Sequence, residues 1–84
     1  MSKNYGYHKR LIAKGILGEL SKIREELEEA EDAQEQGIVI MELAELADLY
    51  GALKARAEAL GFSIKDLAEM NEATERAFRT GRRK

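Results

Sequence analysis

Apolar positions along this chain recur at intervals of three and four, with charged and small residues between them. Ile16, Leu20, Ile23, Leu27 and Ala30 follow that spacing as one stripe of an α-helix, predicted over about residues 16–33. Gly15 and Gly18 weaken an extension back through Leu11 and Ile12. "AQEQG" reads as a turn in which Gly37 takes a left-handed conformation. Val39, Leu43, Leu46, Tyr50, Leu53, Ala57 and Leu60 then make an unbroken apolar seam, which predicts a second helix over 38–60 ended by Gly61. Ser63 and Asp66 form an S-x-x-D start signal close to a capping box. Ile64, Leu67, Met70, Ala73 and Ala77 carry the same spacing through a third helix over 64–79.

The pattern is that of an all-α protein of three main helices, in a chain without proline or visible repeats. One domain is expected over residues 1–84, with 1–15 as an N-terminal segment and 80–84 as a basic tail. A chain of 84 residues buries only a thin core, and three short helices do not hide the broad seam of the second. The expectation is therefore a helical bundle completed by homo-oligomerisation, as a homodimer or homotetramer.

Composition narrows the setting. The chain has no cysteine, which excludes disulfides and is in keeping with a reducing, cytoplasmic location. Glu42, Glu45 and Asp48 interrupt the aliphatic runs well before the roughly 18 residues a bilayer span requires, so no membrane association is expected. The N-terminal apolar part is broken by Lys14 and Glu19 and reads as mature protein rather than a leader. A formal net charge of −2 conceals an uneven distribution, with acids concentrated between residues 19 and 48 and both ends basic. The third helix, "IKDLAEMNEATERAF", is too acidic to lie along nucleic-acid phosphates.

The acids themselves carry the candidate chemistry. Glu26 and Glu29 lie three apart, as do Glu45 and Asp48, and residues at that spacing occupy adjacent turns on one side of a helix. At about 100° per residue, each pair projects to a flank of its helix's apolar stripe. If the two helices are antiparallel neighbours, the four carboxylates converge. Converging carboxylates repel one another unless a cation sits among them, and hard oxygen donors specify Mg²⁺, with Mn²⁺ as a substitute. His8 is the lone histidine, so zinc is not expected. Glu28, Glu31 and Asp32 are read as a solvated face.

"EELEE", followed after a short interval by "ELAD", resembles the EExxE…ExxD signature of the MazG-like, all-α nucleoside triphosphate pyrophosphohydrolases. The resemblance extends through "DLAEMNEATERAF", where Asn71 and Arg76 stand in the places of the family's Asn and Arg, and it spans about residues 16–79. The short chain and "ADLYGAL" are most similar to compact members, phage-borne ones included. This resemblance implies Mg²⁺-dependent hydrolysis of a (d)NTP between its α and β phosphates, giving monophosphate and pyrophosphate. It implies Glu26, Glu29, Glu45 and Asp48 as metal ligands, one glutamate also orienting the attacking water, with Glu25 as an outer-shell candidate. Asn71 would contact phosphate or metal-bound water, and Arg76 would offset phosphate charge.

Glu69 and Met70 occupy the places where the family often has a lysine. Lys9, Arg10, Arg79 and Arg82 are the candidate replacements for that cation. Tyr5, Tyr7 and His8 are candidates for recognising the base by stacking or edge contacts. The competing reading is a non-catalytic helical protein, either a nucleotide binder or an adaptor that docks a partner on the second helix's seam.

Overall fold

The computed structural model describes residues 8–81. It contains three α-helices, α1 (Leu20–Gln36), α2 (Val39–Ala59) and α3 (Ile64–Arg79), and no strand among the described residues. Tyr5, Tyr7, Arg82 and the last residues of the basic tail lie outside the described residues.

The first helix begins at Leu20 rather than near 16 and ends at Gln36 rather than 33. Gly18 takes a left-handed φ of 95°, which stops helical geometry from propagating back to Ile16. At the other end, Gln34, Glu35 and Gln36 are good helix formers and continue the helix to Gly37, instead of making the expected turn. Gly37 (φ 74°) closes it in a Schellman arrangement: its N–H donates to Gln34 O, and the Ile38 N–H donates to Ala33 O. Gly61 (φ 89°) ends α2 in the same way, with Gly61 N–H to Glu58 O and Phe62 N–H to Ala57 O. α3 starts with a full capping box. Ser63 Oγ accepts from Asp66 N–H at 3.1 Å, and Asp66 Oδ2 accepts from Ser63 N–H at 2.8 Å.

α1 and α2 form an antiparallel hairpin. Gly18 meets Arg56, Glu26 meets Asp48 and Glu29 meets Glu45, so one index falls as the other rises. The buried residues of these two helices are mostly small or acidic: Ala30, Ala33, Met41, Ala52 and Ala57, together with Glu25, Glu26, Asp32 and Glu45. Apart from buried Ala57, the seam of α2 faces elsewhere, with Val39 69% and Tyr50 56% exposed and Leu43, Leu46 and Leu60 also open to solvent. The cause is a rotation of about 100° per residue, because Glu45, Leu49, Ala52 and Arg56 each precede a seam residue by one position. α1's stripe behaves likewise, since Ile16, Leu20 and Leu27 are exposed and only Ala30 is buried.

α3 contacts α2 and not α1, and it contains no buried residue. Its first turns and the end of α2 share an apolar cleft lined by Ala57, Leu60, Phe62, Leu67 and Met70. The chain extends 54 × 29 × 20 Å, with a radius of gyration of 15.7 Å against the about 12 Å of a compact domain this long. No helix among the described residues is long and apolar enough to cross a membrane.

Candidate metal centre

The segment before α1 shapes the acidic site. It has no regular structure and runs antiparallel along α1, Lys9 lying at Asp32 and Gly15 at Glu25. Its backbone donors, which have no helix or strand to satisfy them, pair with α1 carboxylates. Lys9 N–H donates to both oxygens of Asp32 at 3.2 and 3.3 Å, and Gly15 N–H donates to Glu25 Oε1 at 2.9 Å. Arg10 fastens the outer side, donating to Glu28 O at 3.1 Å and lying 3.6 Å from Glu31.

Two acids expected to serve solvation or an outer role are thereby buried. Asp32, 1% exposed, is no solvating charge: it accepts from His8 Nδ1 and Gln36 Nε2, each at 2.8 Å, as well as from Lys9 N–H. Burial alone would raise its pKa, but the His8, Gln36 and Lys9 donors outweigh it and hold the carboxyl below its ordinary range. Glu25 is buried too. Its burial penalty is outweighed by Gly15 N–H and by Lys22 Nζ at 3.1 Å, with Lys14 beyond, and its pKa is likewise lowered. Of the acids read as solvated, Glu31 is exposed and Glu28 is half-buried.

Of the four predicted ligands, Glu26, Glu45 and Asp48 come together across the hairpin, whereas Glu29 and Asp48 share no such group. Glu26, Glu45 and Asp48 each place one carboxylate oxygen within 4.8 Å of the others, and His8, Glu29 and Glu45 form a second such group. Glu45 is shared by both and is 1% exposed, whereas Asp48 is exposed at the rim. Six-coordinate Mg²⁺ with bonds near 2.1 Å has oxygens about 3.0 to 4.2 Å apart, a range that falls inside the 4.8 Å limit of the first group. Glu26 Oε1 is buried without a hydrogen-bond partner, a costly arrangement that a cation would relieve. Among the described residues, Lys22 brings a cation to this spot, its Nζ lying 3.1 Å from Glu26 Oε2 and shared with Glu25. Hydrogen bonds to Glu25, then to Glu26, raise the Lys22 pKa above that of an ordinary lysine.

Crowding of negative charge favours the protonated form of two of these acids. Loss of solvent, then the Glu26 and Glu45 carboxylates, push Glu29 up to about 8. Asp48 is raised by loss of solvent on its inner side and then by Glu26 and Glu45, with Lys22 opposing. A cluster that holds an extra proton near neutral pH is short of positive charge.

The remaining predicted residues are dispersed. His8 belongs to the cluster, its side chain 9% exposed and its Nε2 3.3 Å from Glu45 Oε2. The Lys9 side chain is exposed, and Arg10 is committed to α1's outer face. Asn71 donates to Glu75 Oε2 at 3.1 Å, and it is exposed on α3 together with Arg76 and Arg79. Since α3 does not touch α1, one chain does not bring these three to the α1 carboxylates. Asp32 and Lys22 were missed from sequence. Lys22 was legible as an i, i+3 and i, i+4 partner of Glu25 and Glu26, but nothing local joins Asp32 to His8, 24 residues away.

Comparison with protein-family models, with curated proteins and with solved structures finds no match to this chain.

Proposed function

We propose that this chain is the subunit of a Mg²⁺-dependent nucleoside triphosphate pyrophosphohydrolase resembling the MazG-like enzymes, with Glu26, Glu29, Glu45 and Asp48 as the cation's ligands. The observation that carries the reading is the meeting of Glu26, Glu45 and Asp48 oxygens within 4.8 Å across the hairpin, with Glu26 Oε1 buried and lacking a hydrogen bond. Mn²⁺ is the natural substitute. Bound there, the ion would supply charge for phosphate oxygens and acidify a water. The chain's own part is to hold the carboxylates at fixed separation on two packed helices and to keep solvent from Glu26 and Glu45. Lys22 offsets the negative charge at the edge, beside Glu25 and Glu26.

The same reading calls for more than one copy. Val39, Leu43, Leu46 and Tyr50 form an exposed apolar face that a dimer or tetramer would cover. Asn71 and Arg76 then approach a phosphate from α3 of another subunit, since α3 and α1 do not meet within one chain.

A second reading, a non-catalytic nucleotide binder or adaptor, draws on the same face and on an α3 that buries nothing of its own. Pyrophosphate release from a panel of NTPs and dNTPs with Mg²⁺ separates the two, run beside Glu45→Gln and Asp48→Asn. The enzyme reading expects turnover that needs the ion and is lost in both variants while their helicity persists. Folded protein that releases no pyrophosphate with Mg²⁺ or Mn²⁺ leaves the binding or adaptor reading.

A further inference from the structure

The N-terminal segment delivers one imidazole to the acid cluster, and its orientation is set by a buried carboxylate. Asp32 accepts from His8 Nδ1 at 2.8 Å, and the further donors Gln36 Nε2 and Lys9 N–H fix Asp32 itself. An ionised carboxylate only accepts, so Nδ1 carries the shared hydrogen. In the neutral ring, Nε2 is then the lone-pair nitrogen, and it lies 3.3 Å from Glu45 Oε2. Neighbouring donors on one dication with bonds of about 2.1 Å are about 3.0 to 3.4 Å apart, for octahedral and tetrahedral geometry respectively. Glu29 adds a third carboxylate, with an oxygen within 4.8 Å of a ring nitrogen of His8 and of a carboxylate oxygen of Glu45. A carboxylate behind a histidine whose other nitrogen faces a metal is the usual outer-shell device for fixing ring orientation and raising ligand basicity.

We infer that His8 Nε2, Glu29 and Glu45 form a mixed nitrogen–oxygen position for a first-row transition dication, beside the all-oxygen Mg²⁺ position, with Glu29 and Glu45 common to both and Asp32 as the positioning residue. The inference rests on the reading of this cluster as a cation site, but not on nucleotide hydrolysis. Imidazole favours Zn²⁺, Fe²⁺ or Co²⁺ over Mg²⁺ by much more than carboxylates alone do. The position would therefore discriminate between metals that the Glu26, Glu45 and Asp48 group treats more evenly. It also gives the segment before α1 a chemical task besides covering α1.

The full chain, freed of metal, would be titrated with Co²⁺ and with Mg²⁺ by calorimetry. Proton NMR of the Co²⁺ form would be recorded alongside. The chain has one histidine, so a hyperfine-shifted exchangeable imidazole N–H can come only from His8. We expect Co²⁺ to bind at least about tenfold more tightly than Mg²⁺ and that shifted proton to be present. His8→Gln should lose about 10- to 100-fold in Co²⁺ affinity while Mg²⁺ affinity moves less than about threefold. Asp32→Asn should weaken Co²⁺ binding and speed exchange of the shifted proton. Equal binding of both ions with no shifted imidazole proton in the wild type would overturn the inference, leaving His8 as an imidazolium bridging Asp32 and Glu45. The all-oxygen site would survive that result. Failure to bind either ion would overturn both sites.

Discussion

The backbone N–H of Gly15 donates to Glu25 Oε1 at 2.9 Å, tying the segment before α1 to a carboxylate on its second turn. That approach requires glycine. A Cβ at residue 15 would collide with the backbone of Ser21 and Lys22, which has no flexible side chain to move aside. Gly15→Ala should therefore cost about 1–3 kcal/mol, read as a lower thermal midpoint. Gly51→Ala is the control, because open space surrounds that helical glycine and alanine should add about 0.5–1 kcal/mol. Equal effects of the two would mean that Gly15 does not lie against α1.

Glu29 should make the metal-free protein less stable as pH rises towards 8. Its carboxyl titrates at about 8 when folded and near 4.5 when unfolded, so between those values the native state holds a proton the unfolded state has released. Stability thus falls over that window by an amount on the order of a few kcal/mol, then levels off. Asp48, also raised, acts in the same direction above its ordinary 3.8. Glu25 and Asp32 act oppositely: their lowered pKa values contribute stability that is present above about 4.5 and 3.8 and lost as pH falls through the folded values. Urea unfolding in chelator should give a maximum on the acidic side of neutrality, and a stability flat from pH 5 to 8.5 would count against the crowded cluster.

Replacing Glu26 by Gln separates repulsion from ligation. Glu26 raises both Glu29 and Asp48, so in chelator the variant should gain about 1 kcal/mol near pH 8 despite losing a partner of Lys22. Mg²⁺ at a hundredfold excess over its Kd should stabilise the wild type by about 2.7 kcal/mol and the variant hardly at all. Thermal scans with and without Mg²⁺ measure both effects. A variant that responds to the ion as the wild type does would remove Glu26 from the ligand set.

Leu46 sits on the exposed face of α2, one position beyond buried Glu45. If copies of the chain cover that face, Leu46→Glu should lower the mass seen by sedimentation velocity to that of a monomer and reduce stability at low protein concentration. A wild type that is monomeric at high micromolar concentration would contradict completion of the bundle by self-association.

The number of helices and several of their ends were determined by local sequence. Gly37, Gly61 and the Ser63–Asp66 pair act through backbone conformation and hydrogen bonds within a few residues, so their effect does not depend on the rest of the chain. The three-residue spacing within each acid pair likewise put Glu26 with Glu29 and Glu45 with Asp48 on common faces, because helical geometry is periodic. Which faces would meet was not local. The hydrophobic stripes predicted the contact surface, yet within one chain α1 and α2 pack on alanines and carboxylates, about 100° from the leucines. Only the tertiary structure decided that Asp32 and Glu25 are buried, since the donors His8, Lys9 and Gly15 that reach them from outside α1 belong to a stretch without periodicity whose path over α1 no pattern encodes. His8 joins Asp32 and Glu45 for the same reason: three residues distant in sequence meet because the antiparallel hairpin and the segment laid over it bring them to one place.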